Sequence, residues 1–152
     1  MTTALAAGLA CLGAIALAPE SAHAQWRVRE YQEPAHGAPA IEITYRSSGE
    51  RLTVLCSAGT AFVSFAPGYR LPVSDAVVDG RYSVDGRPPK PVRWQVTRNS
   101  AFITAGFATS FVADITGAAQ LSIAFPAVEQ TYDLSPLRPH AARLRAVCGA
   151  AS

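Results

Sequence analysis

The sequence predicts a mainly β fold: an antiparallel β-sandwich or curved sheet of about seven to nine strands, with a short internal helix, a C-terminal helix and one disulfide. Three observations predict it. Apolar and polar residues alternate in short runs bounded by turn residues, as in Ile41 to Arg46 and Val92 to Thr97. The run Ser135 to Cys148 instead spaces Leu137, Ala141, Leu144 and Cys148 by four, three and four, one apolar stripe of a helix. Cys148 on that stripe and Cys56 on the inward face of a strand form a pair suited to clamp helix to sheet.

The chain of 152 residues opens with an apolar run from Ala4 to Ala18, closed by Pro19 and Glu20 and followed by Ala22-His23-Ala24. This small-x-small pattern is that of a secretory signal peptide cleaved between Ala24 and Gln25, although no Lys or Arg precedes the run. The run is shorter than the roughly 20 residues that span a bilayer, so no membrane span is expected after cleavage. Cys11 lies inside the run, with Gly8 where a lipobox wants an aliphatic residue, and it leaves with the signal. The expected division is therefore signal 1–24, a leading strand and loose segment 25–40, and a single β-rich domain 41–152, periplasmic or secreted. Two cysteines in an oxidising compartment favour a disulfide. The loop it closes, on the order of 100 residues, is worth roughly 4–5 kcal/mol in the chain-entropy account.

Along the mature chain, Trp26-Arg27-Val28 reads as the short leading strand. Ile41, Ile43 and Tyr45 share one face of the next, Ser47 to Glu50 turns, and Leu52, Val54 and Cys56 share the returning face, which makes a hairpin. Ser57 to Thr60 turns again into Ala61 to Phe65. Pro-Gly and Leu-Pro pairs mark Pro67 to Asp79 as a loop. Arg81 to Val84 is a strand, Asp85 to Pro89 its turn, and Val92, Trp94 and Val96 alternate with Arg93, Gln95 and Thr97. Ala101 to Thr104 is a short strand. Phe107, Phe111, Ile115 and Ala118 then fall at helical spacing, predicting a helix over 108–119 weakened by Gly117. Leu121, Ile123 and Phe125 alternate once more. Tyr132 to Leu134 leads into the last helix, which Ser135 caps, Pro136 opens and Gly149 stops.

Read in this order, Leu52 to Cys56, Arg81 to Gly86, Trp94, Phe111 to Leu121 and Tyr132 to Leu137 through Cys148-Gly149 resemble an exported β-rich family that includes the VasI-type accessory proteins of type VI secretion. That family has a Leu-x-Val-x-Cys strand, a Tyr-Arg-x-Asp strand, a Trp strand and a Phe-Asp-Leu-Ser-Gly-Leu lead into a Cys-ended helix. Here Arg81 precedes Tyr82, Tyr132 stands where Phe is usual, Pro136 follows Ser135, and the strand ending at Phe65 lacks a Trp. The resemblance runs from Trp26 to Gly149 and implies a periplasmic accessory domain without known catalysis.

Composition narrows the function classes. The formal net charge is +2, and every basic residue except Lys90 is an arginine, scattered from Arg27 to Arg145. No basic stripe interleaved with aromatics predicts a nucleic-acid partner. Histidines of the mature chain are His36 and His140, and no cluster has metal-ligand spacing. There is no Gly-x-Ser-x-Gly elbow and no phosphate loop. Asp75, Asp79, Asp85 and Asp114 are the acids for paired-carboxylate chemistry, though Asp79 and Asp85 each precede a glycine, as turn residues do. The expectation is a non-catalytic module without cofactor, binding another envelope protein. Its candidate surface comprises Arg93 and Gln95 on the wet strand face, Tyr69 and Arg70 in the irregular loop, the turn from Asp85 to Lys90, and Trp26, an aromatic anchor if it does not pack at the sheet's end. The alternative from another class is a small envelope hydrolase or an inhibitor of one.

Overall fold

Nine antiparallel strands form one sheet in the order β1-β2-β3-β4-β7-β6-β5-β8-β9, curled into a half-barrel in the computed structural model, which describes residues 25–149. The expected signal segment 1–24, with Cys11 and Ala24, lies outside the described residues. Of the two predicted arrangements, the curved single sheet is the one that forms.

The strands β1 (Gln25–Gln32), β2 (Pro39–Ser47), β3 (Glu50–Ser57) and β4 (Thr60–Ala66) are a meander. Two tight turns set its register. Ser48-Gly49 and Ala58-Gly59 all have positive φ, the geometry of two-residue hairpins whose twist matches that of the strands. β1 is longer than the alternation around Trp26 signals, pairing with β2 from Gln25 opposite Arg46 to Gln32 opposite Pro39. The loose segment shrinks to the bend between them, closed by hydrogen bonds between Glu33 and Ala38 and from Gly37 to Glu33.

β5 (Ala76–Val84), β6 (Lys90–Val96) and β7 (Ala101–Ile103) form a second meander, laid down in reverse so that β7 meets β4 and β5 meets β8 (Gln120–Phe125). The chain must therefore cross from β4 to β5 past two strands. The loop that does so is anchored where the buried Leu71 donates its N–H to Arg98 in the β6–β7 turn. Its predicted extent, to Asp79, is corrected: Ala76 to Asp79 already belong to β5. The Asp79-Gly80 pair is not a turn. Gly80 sits in the strand because a Cβ there would lie 2.8 Å from the Ala124 carbonyl and 2.9 Å from the Trp94 ring.

Buried residues on one face of every strand but β1 make the core, including Ile41, Leu52, Val63, Trp94, Leu121 and Tyr132, and the half-buried Trp26 and Val28 of β1 pack against it. Both helices lie against that concave face. α1 (Ala105–Ile115) starts three residues earlier than predicted and ends at Thr116, whose hydroxyl donates to the Val112 carbonyl. Its buried Phe111 packs edge-on against Tyr82, so the aromatic stripe is core. The last helix is not continuous. Ser135–His140 winds as a 3₁₀ helix containing Pro139, which has no N–H for an α-helical bond, and α2 (Ala141–Cys148) follows. The apolar stripe survives the break: Leu137, Leu144 and Cys148 are all buried. Cys148 is bonded to Cys56, and Gly149 ends α2 with φ of 63°.

β9 (Val128–Asp133) follows β8 through a Pro126-Ala127 turn and forms the far edge of the sheet. The sequence signals gave no strand here.

Candidate functional site

With both helices inside the curl, the convex face of the sheet is the broad surface they leave uncovered. Register decides which side chains share it. Ser64 of β4, Phe102 of β7, Gln95 of β6 and Val77 of β5 are successive cross-strand partners, and all point outward because their sequence neighbours point into the core. One row away, Leu55 of β3 opposes Phe62 of β4. The Phe62 and Phe102 rings meet with centroids 5.5 Å apart. Phe62 is 43% exposed and Val77 is 53% exposed, so an apolar ridge crosses the middle of the convex face. Gln95 lies within it, donating to the Ala76 carbonyl at 3.5 Å. Arg93 and Asp79 flank it as an exposed ion pair at 3.4 Å.

Of the residues singled out from sequence, Arg93 and Gln95 thus come together on this ridge. Tyr69 and Arg70 do not join them. They lie on the loop after β4, where Gly68 sits against Gly49 of the β2–β3 turn. Tyr69 is half exposed, and its hydroxyl donates to the Ala127 carbonyl at 3.3 Å. Trp26 is on the opposite, concave side. It packs at the end of the sheet against Tyr45 and Tyr132, and its indole N–H is already engaged. Phe62, Phe102, Val77 and Leu55 were missed. Their signal was available in part: Leu55, Phe62 and Phe102 are apolar residues at the outward positions of strands the sequence signals, whereas Val77 falls in the stretch read as a loop.

The acidic candidates occupy separate structural posts. Asp85, in the β5–β6 turn with φ of 50°, accepts the backbone N–H groups of Ala119 and Gln120 at 2.8 and 2.9 Å. Those two bonds hold its carboxyl below the usual range. Asp114 of α1 accepts the Tyr82 hydroxyl at 2.6 Å and the Lys90 ammonium at 2.8 and 2.7 Å. Burial pushes the Asp114 pKa up, but these donors outweigh it and leave it low. Tyr82 is driven the other way, first by burial and then by its carboxylate neighbour. At neutral pH the tyrosine keeps its proton and the aspartate its charge, so this group ties α1 to β5 and β6. Asp75 is exposed ahead of β5, and His140 closes the 3₁₀ helix. Among the described residues no group of three or more His, Cys, Asp or Glu could hold a metal ion, and no helix is long and apolar enough to cross a membrane.

No family model, curated protein or solved structure matches this chain.

Proposed function

We propose that this chain is a non-catalytic exported binding or assembly module, of the kind its resemblance to the VasI-type accessory proteins implies. Its convex sheet face would dock another envelope protein. The observation that carries the reading is the apolar ridge of the exposed Phe62 and Val77 with the half-buried Phe102 between them, on a sheet whose other face is filled. Rings on a rigid sheet are suited to anchoring a partner, because little side-chain entropy is lost when they are covered. The flanking Arg93 and Asp79 supply a polar rim, and Gln95 a polar group within the ridge. A disulfide that joins residues 92 apart supports an oxidising compartment.

The test is a photoreactive residue placed at position 62, 77 or 145 in the exported protein, crosslinked in intact envelopes. One envelope protein captured from 62 and 77 but not from 145 is the expected result. A double Phe62→Ser/Phe102→Ser variant should still unfold in one cooperative transition, at a modestly lower temperature because the ring pair is lost, and should lose that capture. Equal capture from all three positions, or turnover of envelope polymer by the purified protein, would overturn the reading.

A further inference from the structure

A second feature of the convex face lies at its β2–β3 end and is independent of the ridge. Arg46 of β2 and Arg51 of β3 are direct cross-strand partners on the outward face, flanking the Ser48-Gly49 turn. Gln25 of β1 opposes Arg46 from the other side, and Arg27 stands one outward position further along β1. Three arginines, Arg27, Arg46 and Arg51, line one open cleft of about 550 Å³ together with Gln25, Ser48 and the backbone of the turn.

Three arginines face a single carboxylate in this cleft, which is therefore net positive. Among the described residues the ion pairs fall on Arg87, Lys90, Arg93 and Arg143, and none on the three arginines of the cleft. The one carboxylate at the cleft, that of Glu50, accepts the Tyr132 hydroxyl at 2.8 Å from the concave side. Like charges directly opposite one another on adjacent strands oppose pairing. Arg46 and Arg51 stay in this register because their inward neighbours Tyr45 and Leu52, also cross-strand partners, pack in the core. The fold thus places two arginines opposite one another on adjacent strands at a local electrostatic cost, with a third lining the same cleft.

We propose that the cleft of Arg27, Arg46 and Arg51 binds a phosphate group. Planar guanidinium forks match the oxygens of a tetrahedral anion, and a dianion answers the excess charge better than a single carboxylate does. Ser48 adds a hydroxyl donor at the turn. The phosphate belongs to a soluble molecule or to a lipid headgroup, and both present the same chemistry to the cleft.

Thermal unfolding of the whole protein with inorganic phosphate, and flotation with phosphatidylcholine vesicles containing or lacking phosphatidic acid, test the site. The probes are compared for the native chain, Arg46→Gln, Arg51→Gln, the double variant, and Arg145→Gln as a remote control. Phosphate should raise the melting temperature of the native chain and the control. Apparent affinity should fall about tenfold or more in the double variant, whose melting temperature without phosphate should equal or exceed the native value. Response to inorganic phosphate assigns a soluble ligand; binding to phosphatidic acid vesicles alone assigns a headgroup. No response to either probe, or a response that the double variant retains, overturns the proposal.

Discussion

Trp26 in the first strand donates its indole N–H to the carbonyl of Asp133, the last residue of the ninth, at 2.7 Å across 107 positions of sequence. The two residues belong to opposite edges of the sheet, so this bond brings the open edges of the half-barrel together at one end. The Trp26 ring packs 5.1 Å from Tyr45 and 6.3 Å from Tyr132, whose own rings are 5.0 Å apart. Replacing Trp26 by Phe keeps most of this packing and removes the donor. It should cost about 1 kcal/mol, and Trp26→Ala about 2–3 kcal/mol, since the residue is only partly buried. Urea unfolding at constant m-value checks both. Equal costs for the two variants would mean that the hydrogen bond contributes and the ring does not.

The disulfide constrains the unfolded chain over 92 positions and fixes α2 to β3. The Gly59 N–H also reaches the Val147 carbonyl at 3.2 Å, tying the end of α2 to the β3–β4 turn. A Cys56→Ala/Cys148→Ala variant should lose about 2–5 kcal/mol. Its hydrogen exchange should rise first in α2, the short helix that the bond anchors. Thiol trapping of the native protein, isolated without reductant, should label neither cysteine. Labelling of both would show that the bond does not form.

Asp85, Asp114 and Asp133 are all held below the ordinary carboxylate value of 3.8. Asp133 is held there by the backbone and then the side chain of Ser135. A carboxyl with a depressed folded pKa stabilises the fold above its unfolded pKa and loses that contribution as pH falls through the folded value. Stability should therefore be level from neutrality to about pH 5 and decline below about pH 4 as protons bind preferentially to the unfolded chain. Asp85→Asn keeps an acceptor for the Ala119 and Gln120 amides and tolerates positive φ, so the acid limb should become shallower in that variant. An unchanged slope in urea midpoints between pH 5 and 3 would remove Asp85 from this account.

Alternation and turn residues made most of this fold legible, because each strand that was recognised has one face in the core and one in water. The failures have local causes. In β5, Ala76, Val77 and Val78 are consecutive apolar residues, so the outward Val77 hides the period, while Gly80 imitates a turn where it makes room for Trp94. In β9 the inward positions are Val128, Gln130 and Tyr132, and the polar residue in the middle breaks the apolar phase of an edge strand. Pro139 divides the final helix without disturbing its apolar stripe. The convex ridge was half legible: Arg93 and Gln95 could be placed on a wet face, but Phe62, Phe102 and Val77 meet them only through the order β4-β7-β6-β5, a pairing between strands distant in sequence. The arginine cleft was hidden for a related reason. Scattered along the chain, Arg27, Arg46 and Arg51 look like isolated charges until the β1-β2-β3 register lines them up.

The β8–β9 turn contains a strained residue whose relief is measurable. Phe125 and Val128 close the turn as cross-strand partners, and Ala127 follows Pro126 with φ of 62°. Proline suits the second position of a type II turn and glycine the third, where a Cβ opposes positive φ by about 1–2 kcal/mol. The bond from the Tyr69 hydroxyl to the Ala127 carbonyl uses only backbone at that position, so Ala127→Gly preserves it. Glycine loses about 0.5–1 kcal/mol through the greater freedom of the unfolded chain. The net expectation is stabilisation by about 0.5–1 kcal/mol, a rise of about 2–6 °C in melting temperature for a domain of this size. Tyr69→Phe should move the other way by about 0.5 kcal/mol or less, because the bond is long and exposed. A lower melting temperature for Ala127→Gly would mean that the Ala127 methyl makes contacts worth more than the strain it imposes.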